Sequence, residues 1–148
     1  MAAPIVAGTD GSEESLAAVQ WAAVEAVRRS VPLSIVHVLE HHTGPAADTQ
    51  IVWHEVHRRG RARHDLPHEA RSALARAVHR AADAAPGVDL RTAAVCGHAD
   101  QVLTAITGEA GLFATGTRGT GSGQLSGLRL GSVALCLASR ARCPVVFT

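Results

Sequence analysis

The chain has 148 residues, 47% of them hydrophobic and 18% charged, with a formal net charge of +1. That length suits one folded unit, the apolar content excludes wholesale disorder, and near-neutrality gives no general pull toward nucleic acid or an anionic membrane. All 14 basic residues are Arg and Tyr is absent, which removes lysine Schiff bases, a phosphate-binding Lys and any Tyr acid.

Short apolar runs alternate with helical patterns along the chain. Residues 4–9 read as a buried strand that ends at Asp10-Gly11-Ser12. Ser12 is a good N-cap, Glu13 and Glu14 suit a first helical turn, and Leu16, Val19, Ala23 and Val27 recur at helical spacing before Arg28 and Arg29. Residues 33–39 form a second strand. Residues 40–67 are polar and rich in His and Arg, which predicts a variable, mobile connection with one helical turn around 52–56. A helix follows over 69–85 on Ala70, Leu74, Ala77, Val78 and Ala81, ended by Pro86-Gly87. Residues 88–95 alternate as a third, more exposed strand. Gly97-His98-Ala99-Asp100 opens a helix carrying Val102, Leu103 and Ile106. Residues 111–115 form a fourth strand, 116–131 a glycine-rich loop, 132–141 a last helix, and 143–147 a terminal strand. Strand and helix in alternation imply right-handed crossovers and a parallel sheet covered on both faces.

No basic n-region precedes an apolar run at the start, and no apolar stretch approaches the roughly 20 residues that a bilayer requires. Cys96, Cys136 and Cys143 form no CxxC pair and are odd in number, pointing to a reducing, cytoplasmic setting. Cys96 and Cys136 lie in apolar stretches and are expected as core thiols. His41, His42, His54, His57, His64 and His68 lack Cys partners and read as a solvated, pH-sensitive connection rather than a metal site. The Arg58-Arg59-Gly60-Arg61-Ala62-Arg63 run has no aromatic neighbours for base stacking and reads as solvated.

The segment from Gly116 to Ser132 follows a strand and enters a helix. Its glycines, Gly116, Gly119, Gly121, Gly123, Gly127 and Gly131, permit close approach of main-chain N–H groups to an anion. The helix starting at Ser132 directs its positive end to the same place, and Arg118 supplies a guanidinium suited to phosphate. A polyphosphate cradle is the functional reading; a flexible surface loop with an ordinary Ser cap is the alternative. GxxxxGK[ST] cannot occur without Lys, and no GxGxxG follows the first strand. No GxSxG elbow supports a nucleophilic Ser.

These residues resemble the universal stress protein family over nearly the whole chain. The carriers are Ile5-Val6-Ala7-Gly8-Thr9-Asp10-Gly11-Ser12, Val36-His37-Val38, and Gly97-His98-Ala99-Asp100, with Ala99 where Pro is usual. The most specific match runs from Gly116-Thr117-Arg118-Gly119 through Leu130-Gly131-Ser132-Val133 to Cys143-Pro144-Val145-Val146. ATP-binding members carry G-x2-G-x9-G-[ST]. Here eleven residues separate Gly119 from Gly131, so the loop is two residues longer, although Gly121 meets the nine-residue spacing.

The resemblance implies one α/β domain over residues 1–148, Rossmann-like and similar to adenine nucleotide alpha hydrolases, with five parallel strands in order 3-2-1-4-5. It implies that Gly8 and Asp10 line an adenine nucleotide at the first strand's end, Asp10 near the ribose or a metal. Val38 would meet the adenine through its main chain. Gly116, Thr117, Arg118, Gly119, Gly121, Gly131 and Ser132 would hold the phosphates. The expected ligand is ATP, with Mg²⁺ as a possible companion. The expected assembly is a homodimer through residues 144–147, from Pro144 to Phe147, with no nucleic-acid or membrane partner. The expected role is stress-response regulation rather than catalysis; a slow ATPase and a nucleotide-free dimeric interaction module of the same fold are the alternatives.

Overall fold

A computed structural model describes residues 2–40, 51, 53–56, 66–117 and 131–148. The elements are β1 (Ile5–Gly8), α1 (Glu13–Arg29), β2 (Leu33–Leu39), β3 (His54–Glu55), α2 (His68–Ala84), β4 (Leu90–Cys96), α3 (Ala99–Ile106), β5 (Leu112–Thr115), α4 (Ser132–Arg140) and β6 (Val145–Phe147). The sheet order is β3-β4-β2-β1-β5-β6. β4, β2, β1, β5 and β6 are mutually parallel. Numbered among themselves along the chain, these five run 3-2-1-4-5, as expected.

The sixth strand is a correction. Where a helical turn was expected around 52–56, His54 and Glu55 pair antiparallel with Thr92 and Arg91, and Val56 N–H donates to the Leu90 carbonyl at 3.0 Å. The open edge of β4 offers unsatisfied main-chain groups, and a segment rich in Trp and Val meets them better extended than coiled.

Alternation along the strands divides the apolar residues between two layers. Ile5, Ala7, Leu33 and Ile35 face α1 and α2, where Leu16, Val19, Leu74 and Ala77 cover them. Val6, Val36, Ala93 and Phe113 face α3 and α4, against Leu103, Ile106 and Leu137. Full burial of one such side chain is worth about 1.5–3 kcal/mol. β4 is the more exposed strand, as its alternating pattern implied.

Local signals set α1. Ser12 adopts extended backbone and its hydroxyl accepts the Ser15 N–H at 3.2 Å. Glu13 and Glu14 sit at the positive end and Arg28 and Arg29 at the negative end. Ser30 closes the helix in the left-handed region, φ 56. Glu25 accepts from Arg28 and Arg29 at 2.8 and 2.6 Å. The Arg29 hydrogen bond, aided by the charges of both Arg side chains, holds its carboxyl below the usual range. Depression of a folded-state pKa stabilises the fold above the ordinary carboxylate pKa, and that contribution disappears as pH falls through the folded value. Among the described residues no helix is long and apolar enough to cross a membrane.

The cysteines differ from expectation. Cys96 is exposed and Cys136 only partly buried. Cys96 is the last residue of β4; Ala94, on the same face, packs against the core, and the strand's end leaves Cys96 outside it. Cys143 is partly buried, and desolvation pushes its thiol up. Iodoacetamide at neutral pH is therefore expected to alkylate Cys96 first and Cys143 more slowly. Peptide mass spectrometry of a time course checks this; faster loss of the Cys143 thiol would contradict it.

Candidate functional site

The site begins where β1 runs out. Thr9 N–H continues the ladder to the Val36 carbonyl at 2.9 Å. The chain then reverses. Asp10 Oδ1 accepts the Ser12 N–H at 2.9 Å, and Gly11 takes φ +86, a conformation that L side chains resist. The Thr9 hydroxyl accepts the Gly11 N–H at 3.2 Å and pairs with the Ser15 hydroxyl at 3.0 Å. Ser15 in turn donates to the Ser12 carbonyl at 2.9 Å. Since the Ser15 proton is committed there, Thr9 is the donor in the Thr9–Ser15 pair. On the other side, the His37 ring meets the Thr9 carbonyl with Nδ1 at 2.9 Å. A carbonyl only accepts, so Nδ1 carries the proton.

β5 lies beside β1 and ends at the same level. Gly116 follows it, and a Cβ there would stand 3.1 Å from the Glu14 carbonyl carbon and the Ser15 nitrogen. A Cβ there would press on main chain and require a shift of a few tenths of an ångström, so glycine suits this approach best. The β5–β6 ladder extends beyond the strands: Thr148 N–H donates to the Thr115 carbonyl and Thr117 N–H to the Thr148 carbonyl, at 3.0 and 3.3 Å. Gly131 N–H donates to the Thr117 carbonyl at 2.7 Å, which fixes the entry to α4 beside the end of β5.

These tips enclose a cleft of about 720 Å³ at the carboxyl edge of the sheet. β1 and β5 start crossovers to opposite faces, the arrangement that opens a crevice in doubly wound sheets. Seven of the ten anticipated residues line it. Gly8 and Asp10 come from the β1 end, Val38 from β2, Gly116 and Thr117 from the β5 exit, and Gly131 and Ser132 from the start of α4. Arg118, Gly119 and Gly121 lie outside the described residues.

Two details revise the phosphate cradle. The amides of Thr117 and Gly131 are engaged within the protein. The N–H groups of Ser132 and Val133, in the first turn of α4, have no intrahelical acceptor, and Gly131 provides no side-chain cap. These amides, that of Ala134 and the Ser132 hydroxyl are the anion donors that the start of α4 presents to the cleft.

The cleft also contains residues that the sequence did not single out. Thr9, Ser15, His37 and Glu40 line it, as do Glu69 and Ala99. Asp10, Glu40 and Glu69 bring carboxylates, and α2, α3 and α4 all start at the cleft, so acidic side chains and positive helix ends share its wall. The signal that was present is His37, a single imidazole inside an apolar strand. His98 caps α3 without a side-chain hydrogen bond and is exposed. His54 and His68 are described and the other clustered histidines are not; among the described residues no three His, Cys, Asp or Glu side chains group as a metal site.

Removing a hydroxyl from the β1 knot is expected to leave a buried polar group unpaired. Thr9→Val and Ser15→Ala should each cost about 1–3 kcal/mol, read from urea unfolding. Gly116→Ala should cost about 1–3 kcal/mol by overpacking. A change under a few tenths of a kcal/mol in all three would contradict this geometry.

A family model described as the universal stress protein family matches residues 1–148. A universal stress protein of Mycobacterium tuberculosis, Rv2005c, is 33% identical over 150 residues, covering 95% of this chain and 46% of that protein. The chain thus spans about half the length of the curated relatives it matches. Among solved structures, a universal stress protein in complex with cAMP superposes with a TM-score of 0.68 at 25% identity, covering 99% of this chain and 95% of that one. The Archaeoglobus fulgidus universal stress protein in complex with dAMP superposes with a TM-score of 0.66 at 22% identity, covering 99% and 97%, a likeness of fold. The sheet order, the crevice at its carboxyl edge and these matches agree: the chain belongs to the universal stress protein family.

Proposed function

We propose that this protein is an adenine-nucleotide-binding regulatory module, that its ligand is ATP, and that it works in the cytoplasm as a homodimer in stress response. The observation that carries the reading is the convergence in one cleft of Gly8, Asp10 and Val38 with Gly116, Thr117, Gly131 and Ser132. The cleft volume lies within the ordinary range for small-molecule sites. The ligands of the cAMP and dAMP complexes share adenine on a phosphorylated sugar. In this reading Val38 borders the base, Asp10 the ribose, and Ser132 with the α4 amides the phosphates. The family resemblance assigns Arg118, Gly119 and Gly121, which lie outside the described residues, to phosphate as well.

A carboxylate beside phosphates repels them unless a cation or a hydroxyl intervenes. Asp10 has the donor type that Mg²⁺ uses alongside phosphate oxygens, and would hold it if the metal accompanies ATP. The residues perform binding rather than bond cleavage, and the whole of 1–148 acts as one domain with 40–67 as its variable connection.

The dimer uses β6. Val145, Val146 and Phe147 are half-buried and pair with β5 on one side only among the described residues. An apolar edge strand of this kind invites pairing, and a two-fold partner would satisfy it.

Millimolar ATP is expected to raise the melting temperature, and native mass spectrometry is expected to retain one nucleotide per chain. Ser132→Ala should weaken ATP by about tenfold through loss of a charge-assisted hydrogen bond. Absence of any shift at millimolar ATP, AMP or cAMP would overturn the nucleotide reading. Val146→Arg should convert the dimer to monomer in sedimentation; an unchanged dimer would remove β6 as its interface.

A further inference from the structure

We propose that His37 reads the ligand's base, making it the residue that selects a 6-amino purine over a 6-oxo purine. The proposal rests on the adenine-nucleotide reading above and adds the specificity element to it. His37 is only 4% exposed, yet it lines the cleft. It immediately precedes Val38, at the end of the cleft away from α4. Its Nδ1–H is held by the Thr9 carbonyl at 2.9 Å, in a side chain with almost no freedom to turn.

That bond decides the chemistry of the other nitrogen. With the proton on Nδ1, a neutral imidazole carries a lone pair on Nε2 and can only accept there. Among the described residues Nε2 has no protein hydrogen-bond partner. Nε2 keeps contact with the cleft rather than standing sealed and unpaired, and a ligand that brings an N–H to it replaces solvent there with a directed hydrogen bond. The exocyclic amine of adenine is such a donor. The 6-oxo group of hypoxanthine opposes the Nε2 lone pair with another lone pair, so the same pocket disfavours it. Sites built to pair a substrate donor reject analogues lacking it more strongly than apolar pockets do.

The Thr9 carbonyl belongs to the segment that carries Asp10, so the imidazole links base recognition to the placement of the β1 tip. Asn and Gln separate these two roles. Asn places an amide N–H near the position of Nδ1 and nothing at Nε2. Gln reaches toward Nε2 and gives up the Thr9 bond.

The test is calorimetric titration of wild-type, His37→Asn and His37→Gln proteins with ATP, inosine triphosphate, purine riboside triphosphate and deoxy-ATP, with melting temperatures as a check on folding. Wild-type protein is expected to prefer ATP over the inosine and purine riboside nucleotides by about tenfold or more. His37→Asn is expected to bring ATP and inosine triphosphate within about twofold of each other, mainly by weakening ATP. His37→Gln should restore part of the preference, and it carries the test should His37→Asn fail to fold. Equal wild-type affinity for ATP and inosine triphosphate would overturn the assignment while leaving nucleotide binding intact, as would a preference that survives both substitutions. A wild-type preference for ATP over deoxy-ATP that both substitutions abolish, with no change against inosine triphosphate, would assign Nε2 to the sugar and also overturn it. Failure of wild-type protein to bind any of the four would sink the parent reading.

Discussion

The main chain of Thr9 is the junction on which the site depends. Its N–H completes the β1–β2 ladder at Val36, and its carbonyl fixes the His37 ring. Its hydroxyl joins Ser15 and the Gly11 amide. Three elements therefore meet at one residue: the central strand, the neighbouring strand and the first turn of α1. Each polar group in that knot has a partner, which is what allows a polar turn to be buried at the edge of an apolar sheet. Gly116 adds the fourth element, since its missing side chain lets the β5 exit lie against Glu14 and Ser15. The cleft is the space left where these tips meet and the crossovers part to opposite faces.

Much of this was legible in the residues because it depends on local rules. Ser12, Glu13 and Glu14 announce the start of α1, and the alternation of apolar strands with amphipathic helices implies the parallel order. The two-residue β3 was not legible. Strand pairing of that length is decided by the vacant edge of β4, a partner far away in the chain. Cys96 was misplaced because an apolar neighbourhood in sequence says nothing about where a strand ends.

The ends of the glycine loop were identified from glycine spacing and the helix that follows. Which of its amides are free was not, because that depends on Thr148. The parallel pairing of β6 with β5 carries Thr148 beside Thr117 and occupies its N–H. Gly131 then gives its own N–H to the Thr117 carbonyl. The glycines at these two places build the frame, and the first turn of α4 presents the donors. His37 was read as part of a strand, which it is; its second role follows from the 2.9 Å contact with a carbonyl that no spacing rule reveals.

On the proposed function, the tips of β1 and β2 and the start of α4 form one nucleotide site. Amide chemical shifts of isotopically labelled protein titrated with ATP test it most directly. The largest changes are expected at Thr9, Asp10, Val38, Ser132 and Val133, saturating together. Changes confined to the outer face of α1 around Trp21 and Val24, or none at all at saturating nucleotide, would contradict it.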